Sequence, residues 1–140
     1  MKFSLKVQVA HKGVAEGLAL VYRKPFPFSD INPENGVIDV PEHELKGANI
    51  CDKVLVYPCG CGASTEDWGL YILKKAGHAP KAIINGRRIF NIHMTGAMLA
   101  DIPMVYGLDE NCLNLIRDGD HIKVDAEKGF IEVNRKGQPE

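Results

Sequence analysis

The stretch KVLVYPCGCGASTEDW, residues 53–68, decides the fold of this chain. Its first five residues, Lys53–Tyr57, form an apolar run that is typical of a buried strand. The glycines at 60 and 62 then let the backbone adopt unusual conformations and approach another molecule closely. The pattern predicts a strand that leads into a ligand-facing loop.

A helix is predicted directly after this loop. Ser64 or Thr65 can cap its first turn, and the helix is expected to run to about Ala76 and to stop at Gly77. Backbone N–H groups, hydroxyls and two thiols then meet at one edge of a sheet, beside a helix N-terminus. Small anionic ligands are commonly held in such places, so we expect a site here.

Composition indicates one domain, which we place at residues 1–134, followed by a polar tail at 135–140. The chain has 140 residues, 45% of them hydrophobic, which is enough for one core. Basic and acidic residues nearly cancel, 17 against 18, so the total charge favours neither nucleic acid nor an anionic membrane as a partner. The basic residues Lys81, Arg87 and Arg88 belong to a solvated loop or contact a phosphate or carboxylate.

Location follows from hydropathy and cysteine content. No apolar run approaches the roughly 20 residues that cross a bilayer, and the first residues alternate like a strand and lack a signal-peptide core. We therefore expect a cytoplasmic protein whose four cysteines are reduced.

Periodicity predicts a sheet-rich α/β domain. Residues 2–9 and 17–22 are expected to form a hairpin through Lys12 and Gly13, and residues 120–125 and 130–134 a second hairpin at the other end. Between them, the strand, helix and strand of residues 53–85 predict a parallel pair with a right-handed crossover. The proline-rich segment 24–36 is predicted to be irregular, with its two phenylalanines packed down on the domain. Asp109 is expected to cap a helix through Ile116.

Cys59 and Cys61 have three readings. They could be ligands of a soft metal ion, reactive thiols activated by the neighbouring helix N-terminus, or simple loop thiols. A closed metal site needs further ligands, and the other cysteines and the five histidines show no metal-site spacing. We therefore expect no metal or other cofactor in this chain alone.

Each of the polar residues that follow also has two possible roles. Ser64 and Thr65 are caps or substrate contacts, and Glu66 and Asp67 are acid–base groups or first-turn carboxylates that favour the helix dipole. His93 is a satisfied structural histidine or a functional one. Trp68 packs on its helix or lies exposed at a subunit interface.

Several ordered motifs then match a known family. The chain resembles the small, swivelling-domain subunit of the aconitase X dehydratases over about residues 2–134. The motifs are Gly13–Val21, Asn32–Gly36, the strand at 53–56 with Pro58-x-Gly-x-Gly62, Ala79–Asn85, Ala100–Val105 and Gly119-Asp120.

The resemblance implies a swivelling β/β/α domain with a central parallel βαβ unit and β-hairpins at both chain ends. Such a domain closes as a lid over a large subunit, which supplies most of the active site, including an iron or iron–sulfur cofactor where one is present. The reaction implied is the removal of water from a hydroxylated acid, and known members act on phosphomevalonate or hydroxyproline. The expected partners are thus a large subunit and a small hydroxy-acid or phosphorylated substrate.

One departure from the family pattern concerns the glycine loop. The family loop reads Gly-Lys/Arg-Gly-Ser, and its serine is the proposed catalytic contribution of the small domain; without gaps this serine falls on Ala63, and Cys61 replaces the basic residue. The expected site consists of Ser64, Glu66 and Cys61 as catalytic candidates and of Gly60, Gly62, Ala63, Ser64 and Thr65 as substrate-binding residues. The alternative function is a non-catalytic swivelling module that binds a partner protein or a small ligand.

Overall fold

The computed structural model describes residues 1–62 and 66–135. Its elements are β1 (Lys2–Lys6), β2 (Gln8–His11), β3 (Val14–Val21), β4 (Ile31–Asn32), β5 (Val37–Ile38), β6 (Val54–Tyr57), α1 (Glu66–Ala76), β7 (Ala82–Gly86), α2 (Asn91–Ala100), β8 (Met104–Leu108), α3 (Glu110–Leu113), β9 (His121–Asp125) and β10 (Phe130–Asn134). A single 3₁₀ turn, Phe28–Asp30, precedes β4.

Eight of these strands form one mixed sheet in the order β1-β10-β9-β3-β6-β7-β8-β2. The four central strands β3, β6, β7 and β8 run parallel, and their outer neighbours pair antiparallel. The two edge strands, β1 and β2, are joined by the single residue Val7, whose N–H donates to the Gly129 carbonyl at 3.0 Å. The sheet therefore curls until its two edges meet.

Alternation along the central strands divides the core in two. Val54 and Val56 of β6 point into the apolar cluster enclosed by the curled sheet. Leu55 and Tyr57 point to the opposite face, into a second cluster built with α1, α2 and the segment 26–50. Because side chains alternate along a strand, the last residue of β6 is delivered to the helical face.

Helix α1 covers that face through a buried stripe. Glu66, Leu70 and Leu73, spaced by four and three residues, are buried on one side of the helix. It crosses α2 closely at Gly96, where a Cβ atom would lie 3.0 Å from the Cα of Asp67. Both helices thereby cover one face of the sheet, and the first turn of α1 lies at the carboxyl edge of the central strands.

The central predictions of the sequence are confirmed. Strands β6 and β7 pair in parallel on either side of α1, and β9 and β10 form the C-terminal hairpin. Phe26 and Phe28 are buried, as expected of a segment that packs down. Asp109 does cap a helix, accepting from the Cys112 N–H at 2.8 Å, but α3 ends at Leu113.

The predicted N-terminal hairpin is wrong. Strand β2 pairs with β8, whereas β3 pairs with β9 and β6, so the two arms of the expected hairpin are far apart in the sheet. The chain does turn at Gly13, where φ is +140°, but the strands separate beyond it. Alternating apolar residues identify a strand without identifying its partner, and here the partners come from remote parts of the chain.

Arg135, the last described residue, is hydrogen-bonded to the rest of the domain. The Arg135 guanidinium, assigned to the tail by the sequence, donates to both carboxylate oxygens of Asp120 at 2.9 and 2.8 Å. Residues 136–140 lie outside the described residues. Within the described ranges, no helix is both long and apolar enough to cross a membrane.

Candidate functional site

The glycine loop leaves the carboxyl end of β6 and is held by backbone hydrogen bonds on two sides. The Phe26 N–H donates to the Cys59 carbonyl at 3.0 Å, and the Cys61 N–H donates to the Phe26 carbonyl at 3.2 Å. On the other side, the Gly86 N–H donates to the Pro58 carbonyl at 3.0 Å. The loop 59–62 is thus an ordered extension of the parallel strands.

A buried polar chain lies directly under this loop. It connects the last residue of β6, the third residue of α2 and the first residue of α1. Tyr57 Oη lies 2.8 Å from His93 Nδ1, and His93 Nε2 lies 3.0 Å from Glu66 Oε1. All three side chains are buried, Glu66 with 3% of its surface exposed. His93 is therefore a satisfied histidine, as one of its two readings proposed.

Glu66 also joins the chain to the segment before β4. Its carboxylate accepts hydrogen bonds from the backbone N–H groups of Phe28 and of Ser29, the latter at 3.0 Å. Burial by itself would raise the pKa of Glu66, but the hydrogen bonds from His93 and from these two amides outweigh it and leave the pKa below its ordinary value. The group is a buried carboxylate with its acceptor positions directed into the protein.

The surroundings of each group indicate which atoms of this polar chain carry protons. Burial raises the pKa of the Tyr57 phenol, so Tyr57 keeps its proton and can donate it to His93 Nδ1. With Nδ1 accepting from Tyr57, His93 Nε2 carries a proton and donates it to the Glu66 carboxylate. This arrangement satisfies both ring nitrogens and gives Glu66 three donors.

Gly60 and Gly62 leave room for the loop to lie on the polar chain. A Cβ atom at Gly60 would be 2.5 Å from His93 Nδ1 and 2.5 Å from a Phe90 ring carbon. At Gly62, where φ is +114°, a Cβ atom would be 2.8 Å from the Glu66 carboxyl carbon. Both glycines, predicted as substrate-binding residues, are thus required by close packing onto the buried pair.

Cys59 and Cys61 are partly exposed, and both are free thiols. Burial and the negative charges of Glu66, Cys59 and Asp30 raise the pKa of the Cys61 thiol, which is opposite to the activation expected from a helix N-terminus. The described residues contain no group of three His, Cys, Asp or Glu side chains that could hold one metal ion.

The three residues Ala63, Ser64 and Thr65 lie outside the described residues, so their expected roles stay predictions. The residues on either side are described, with Gly62 packed on Glu66 and Glu66 beginning α1. Trp68, one turn into the same helix, is 56% exposed and stacks on Tyr71 at 5.1 Å between ring centroids.

Two members of the site were missed by sequence reasoning. Tyr57 was placed in the strand without a role, and Asn85, its partner in register on β7, was not considered. Asn85 donates to the Tyr57 carbonyl at 3.3 Å, and its buried Oδ1 has no partner among the described residues. A polar residue that ends a buried apolar strand, next to a glycine loop, was the available signal.

A cavity of about 750 Å³ opens beside the start of the loop. Its lining includes Pro58 before the loop, Gly86 at the end of β7, Arg87 directly after it, and Arg23 after β3, all at the carboxyl ends of parallel strands. Ligands of open α/β sheets commonly bind at this edge. Arg87 and Lys81 do not form one basic cluster, because they flank β7 and an extended strand of this length separates them by roughly 20 Å.

Comparison with known proteins places this geometry in a family. A family model described as aconitase X swivel domain matches residues 4–133. The phosphomevalonate dehydratase small subunit of Thermococcus kodakarensis is 39% identical over 127 residues, which cover 90% of this chain and 92% of that protein. The small subunit of the same name from Methanosarcina acetivorans is 37% identical over 130 residues, covering 92% and 90%.

A solved structure agrees with the sequence relatives. The crystal structure of aconitase X from Thermococcus kodakaraensis, in its holo-form, superimposes with a TM-score of 0.87 at 38% identity, and the match covers 94% of this chain and 98% of that one. The fold and the site define the class: a swivelling α/β module that presents one loop at the carboxyl edge of its parallel strands. The chain belongs to the aconitase X swivel-domain family.

Proposed function

We propose that this chain is the small subunit of a phosphomevalonate dehydratase, a hydro-lyase whose active site is completed when this domain closes over a large subunit. The observation that carries the proposal is its similarity to small subunits of that name over about nine-tenths of both chains. The reaction removes a proton from one carbon and a hydroxyl group from its neighbour, which leave together as water and create a double bond. Any iron or iron–sulfur cofactor belongs to the large subunit.

The role proposed for this chain is to cover the substrate with residues 59–65 and to exclude water from it. The loop stands at the edge where three parallel strand ends and the first turn of α1 meet. The N–H groups at the start of α1, with the Ser64 and Thr65 hydroxyls, would bind an anionic group of the substrate. Arg87, exposed on the wall of the adjoining cavity, would contact the phosphate. The free thiols of the chain suit a cytoplasmic, reducing location.

The proposal is tested by reconstitution. The chain is co-expressed with the large subunit from the same genome, and dehydration of phosphomevalonate is measured for the complex and for each subunit alone. We expect turnover by the complex only. Turnover by this chain alone would contradict a shared active site, and an inactive but correctly assembled complex would contradict the substrate.

The same assay resolves the role of the altered serine position. If Ser64 has taken over the family role, Ser64→Ala lowers kcat at least about tenfold, within the range of a proton-transfer group, and Ala63→Ser in the parent chain changes it little. If Ser64 is only a helix cap, the variant loses about 1 kcal/mol of stability and keeps its turnover.

A second candidate function is a non-catalytic swivelling module. Ala63 at the family serine position favours it, as does the raised pKa of the Cys61 thiol. Under this alternative the chain still binds its partner or a small ligand, but neither Ser64→Ala nor Ala63→Ser changes any dehydratase activity of the complex.

A further inference from the structure

We infer that Tyr57 and His93 are positioning residues: through Glu66 they hold the glycine loop and the segment 26–29 in the arrangement that turnover requires. The inference rests on the proposed function, and it concerns side chains that no substrate can reach in this arrangement. Tyr57 and His93 have no exposed surface, and Glu66 has almost none. They can act only through what they hold.

The first step of the argument is what the Glu66 carboxylate connects. One oxygen accepts from the Phe28 N–H and from His93 Nε2, and the other accepts from the Ser29 N–H. Phe26, two residues earlier, is paired with the backbone of Cys59 and Cys61. A single buried carboxylate thus joins α1, α2 and both segments that form the loop edge.

The second step is that the polar chain fixes both ends of residues 63–65. Gly62 packs on the Glu66 carboxyl group at a separation that excludes a side chain, and Glu66 itself follows Thr65 in sequence. Gly60 packs in the same way on His93. Displacement of Glu66 therefore moves the residues on both sides of this segment, and displacement of His93 acts on them through its hydrogen bond to Glu66 and its contact with Gly60.

The third step is that Tyr57 sets the orientation of the imidazole. With its phenol protonated, Tyr57 donates to Nδ1, and this leaves Nε2 to carry the proton that Glu66 accepts. Without the hydroxyl, Nδ1 loses its partner in a buried site and the ring is free to rotate or exchange tautomers. Burying an ionised carboxylate is unfavourable unless its donors are held in place, so the chain acts as a unit.

The test uses Tyr57→Phe, which removes one oxygen and keeps the aromatic packing, in the complex with the large subunit. We expect kcat for dehydration to fall at least about tenfold, with KM and the affinity between subunits changed less than about twofold. The matched control is Ile131→Val, a core change in the cluster enclosed by the sheet, which should leave kcat unchanged. If Tyr57→Phe retains kcat in an active complex, or if Ile131→Val lowers it equally, the inference is overturned.

Amide hydrogen exchange provides a readout that does not depend on activity. In the Tyr57→Phe chain we expect protection of the Phe28, Ser29 and Cys61 amides to fall at least about tenfold, while amides of β9 and β10 keep theirs. An inactive wild-type complex would count against the proposed function alone, and the exchange pattern would still decide the holding role. Unchanged protection at these three amides would overturn it.

Discussion

At the scale of single residues, Gly60 is the most tightly enclosed of the described glycines. Its φ is not in the left-handed region, so conformation is not what requires a glycine there. The requirement is space, because the loop backbone lies directly on the His93 ring and on Phe90. This glycine thus serves the contact between the loop and the buried polar chain.

Gly60→Ala is therefore expected to displace the loop. Its Cβ would meet two ring atoms at 2.5 Å, and the displacement should destabilise the chain by about 1–3 kcal/mol and lower kcat of the complex. Urea unfolding and the dehydration assay measure the two effects. Gly69→Ala is the control: it lies inside α1 with only a Phe28 carbon near 3.8 Å, so it should be neutral or stabilise by up to about 1 kcal/mol. Equal behaviour of the two variants would contradict the close-packing argument.

Glu66 makes a prediction about pH. Its pKa is lower in the folded chain than its ordinary value of 4.5, so the ionised group stabilises the fold above that value. The free energy of unfolding of wild type should exceed that of Glu66→Gln by about 1–3 kcal/mol at pH 7, and the difference should shrink as pH falls below about 4.5 through the folded pKa.

The measurement is denaturant unfolding of both proteins between pH 7 and pH 3. Glu132→Gln serves as the control, because Glu132 pairs with Lys2 at 3.3 Å on the surface and should contribute under about 1 kcal/mol. A difference between wild type and Glu66→Gln that is independent of pH would show that the pKa of Glu66 is the same in the folded and unfolded chain, which would contradict the prediction.

How far the sequence predicts the site differs among its residues. Glu66 and His93 were both singled out, because a first-turn carboxylate and a histidine at the end of an apolar run are visible in the sequence. Their mutual contact was not, since it depends on the crossing of α1 and α2 at Gly96. Tyr57 was read as a strand residue, because nothing in the sequence shows that a histidine 36 residues later supplies its partner.

At the scale of elements, α1 has two different faces. Its buried stripe packs on the sheet and on α2, whereas Trp68 and Ile72 on the outer side are 56% and 41% exposed. Trp68 is steadied by stacking on Tyr71, so it presents a rigid apolar surface immediately beside the loop. Exposed aromatic residues of this kind are common at the centre of protein interfaces.

Trp68→Ala is accordingly expected to weaken binding of the large subunit at least about tenfold, as measured by isothermal titration calorimetry. The melting temperature of the isolated chain should change little, because most of the indole is already in solvent. Val14→Ala is the matched control, since Val14 is 54% exposed at the opposite edge of the parallel strands. Equal affinities for both variants would place the interface elsewhere.

The sequence predicts strands and helices correctly where the residues that indicate them lie close together in the chain. The β6–α1–β7 unit was correct because its strand, glycine loop, acidic first turn and terminal glycine follow one another within 34 residues. The hairpin at residues 121–134 was correct for the same reason. The predicted pairing of β3 with the preceding strand is wrong, because the neighbours of β3 are β9 and β6. Both of these strands are distant from β3 in sequence.

At the scale of the whole molecule, the curled sheet separates the apolar cluster that stabilises the fold from the face that carries the site. The apolar cluster it encloses carries stability and contains no residue of the polar chain or of the loop, both of which lie on the helical face. Changes in the enclosed cluster should therefore alter stability without altering the geometry of the site, and this separation is what makes the control variants informative.

The pairing of the first strand with the last has a consequence for how this protein is made. Lys2 to Lys6 are synthesised well before their partners, Phe130 to Asn134, which lie more than 120 residues later in the chain. Until β10 emerges, β1 has unpaired backbone groups on an apolar, alternating segment, which is a template for contact with other chains. Closure of the sheet between β1 and β10 is thus a late step, because it must wait for the synthesis of all the strands that lie between them.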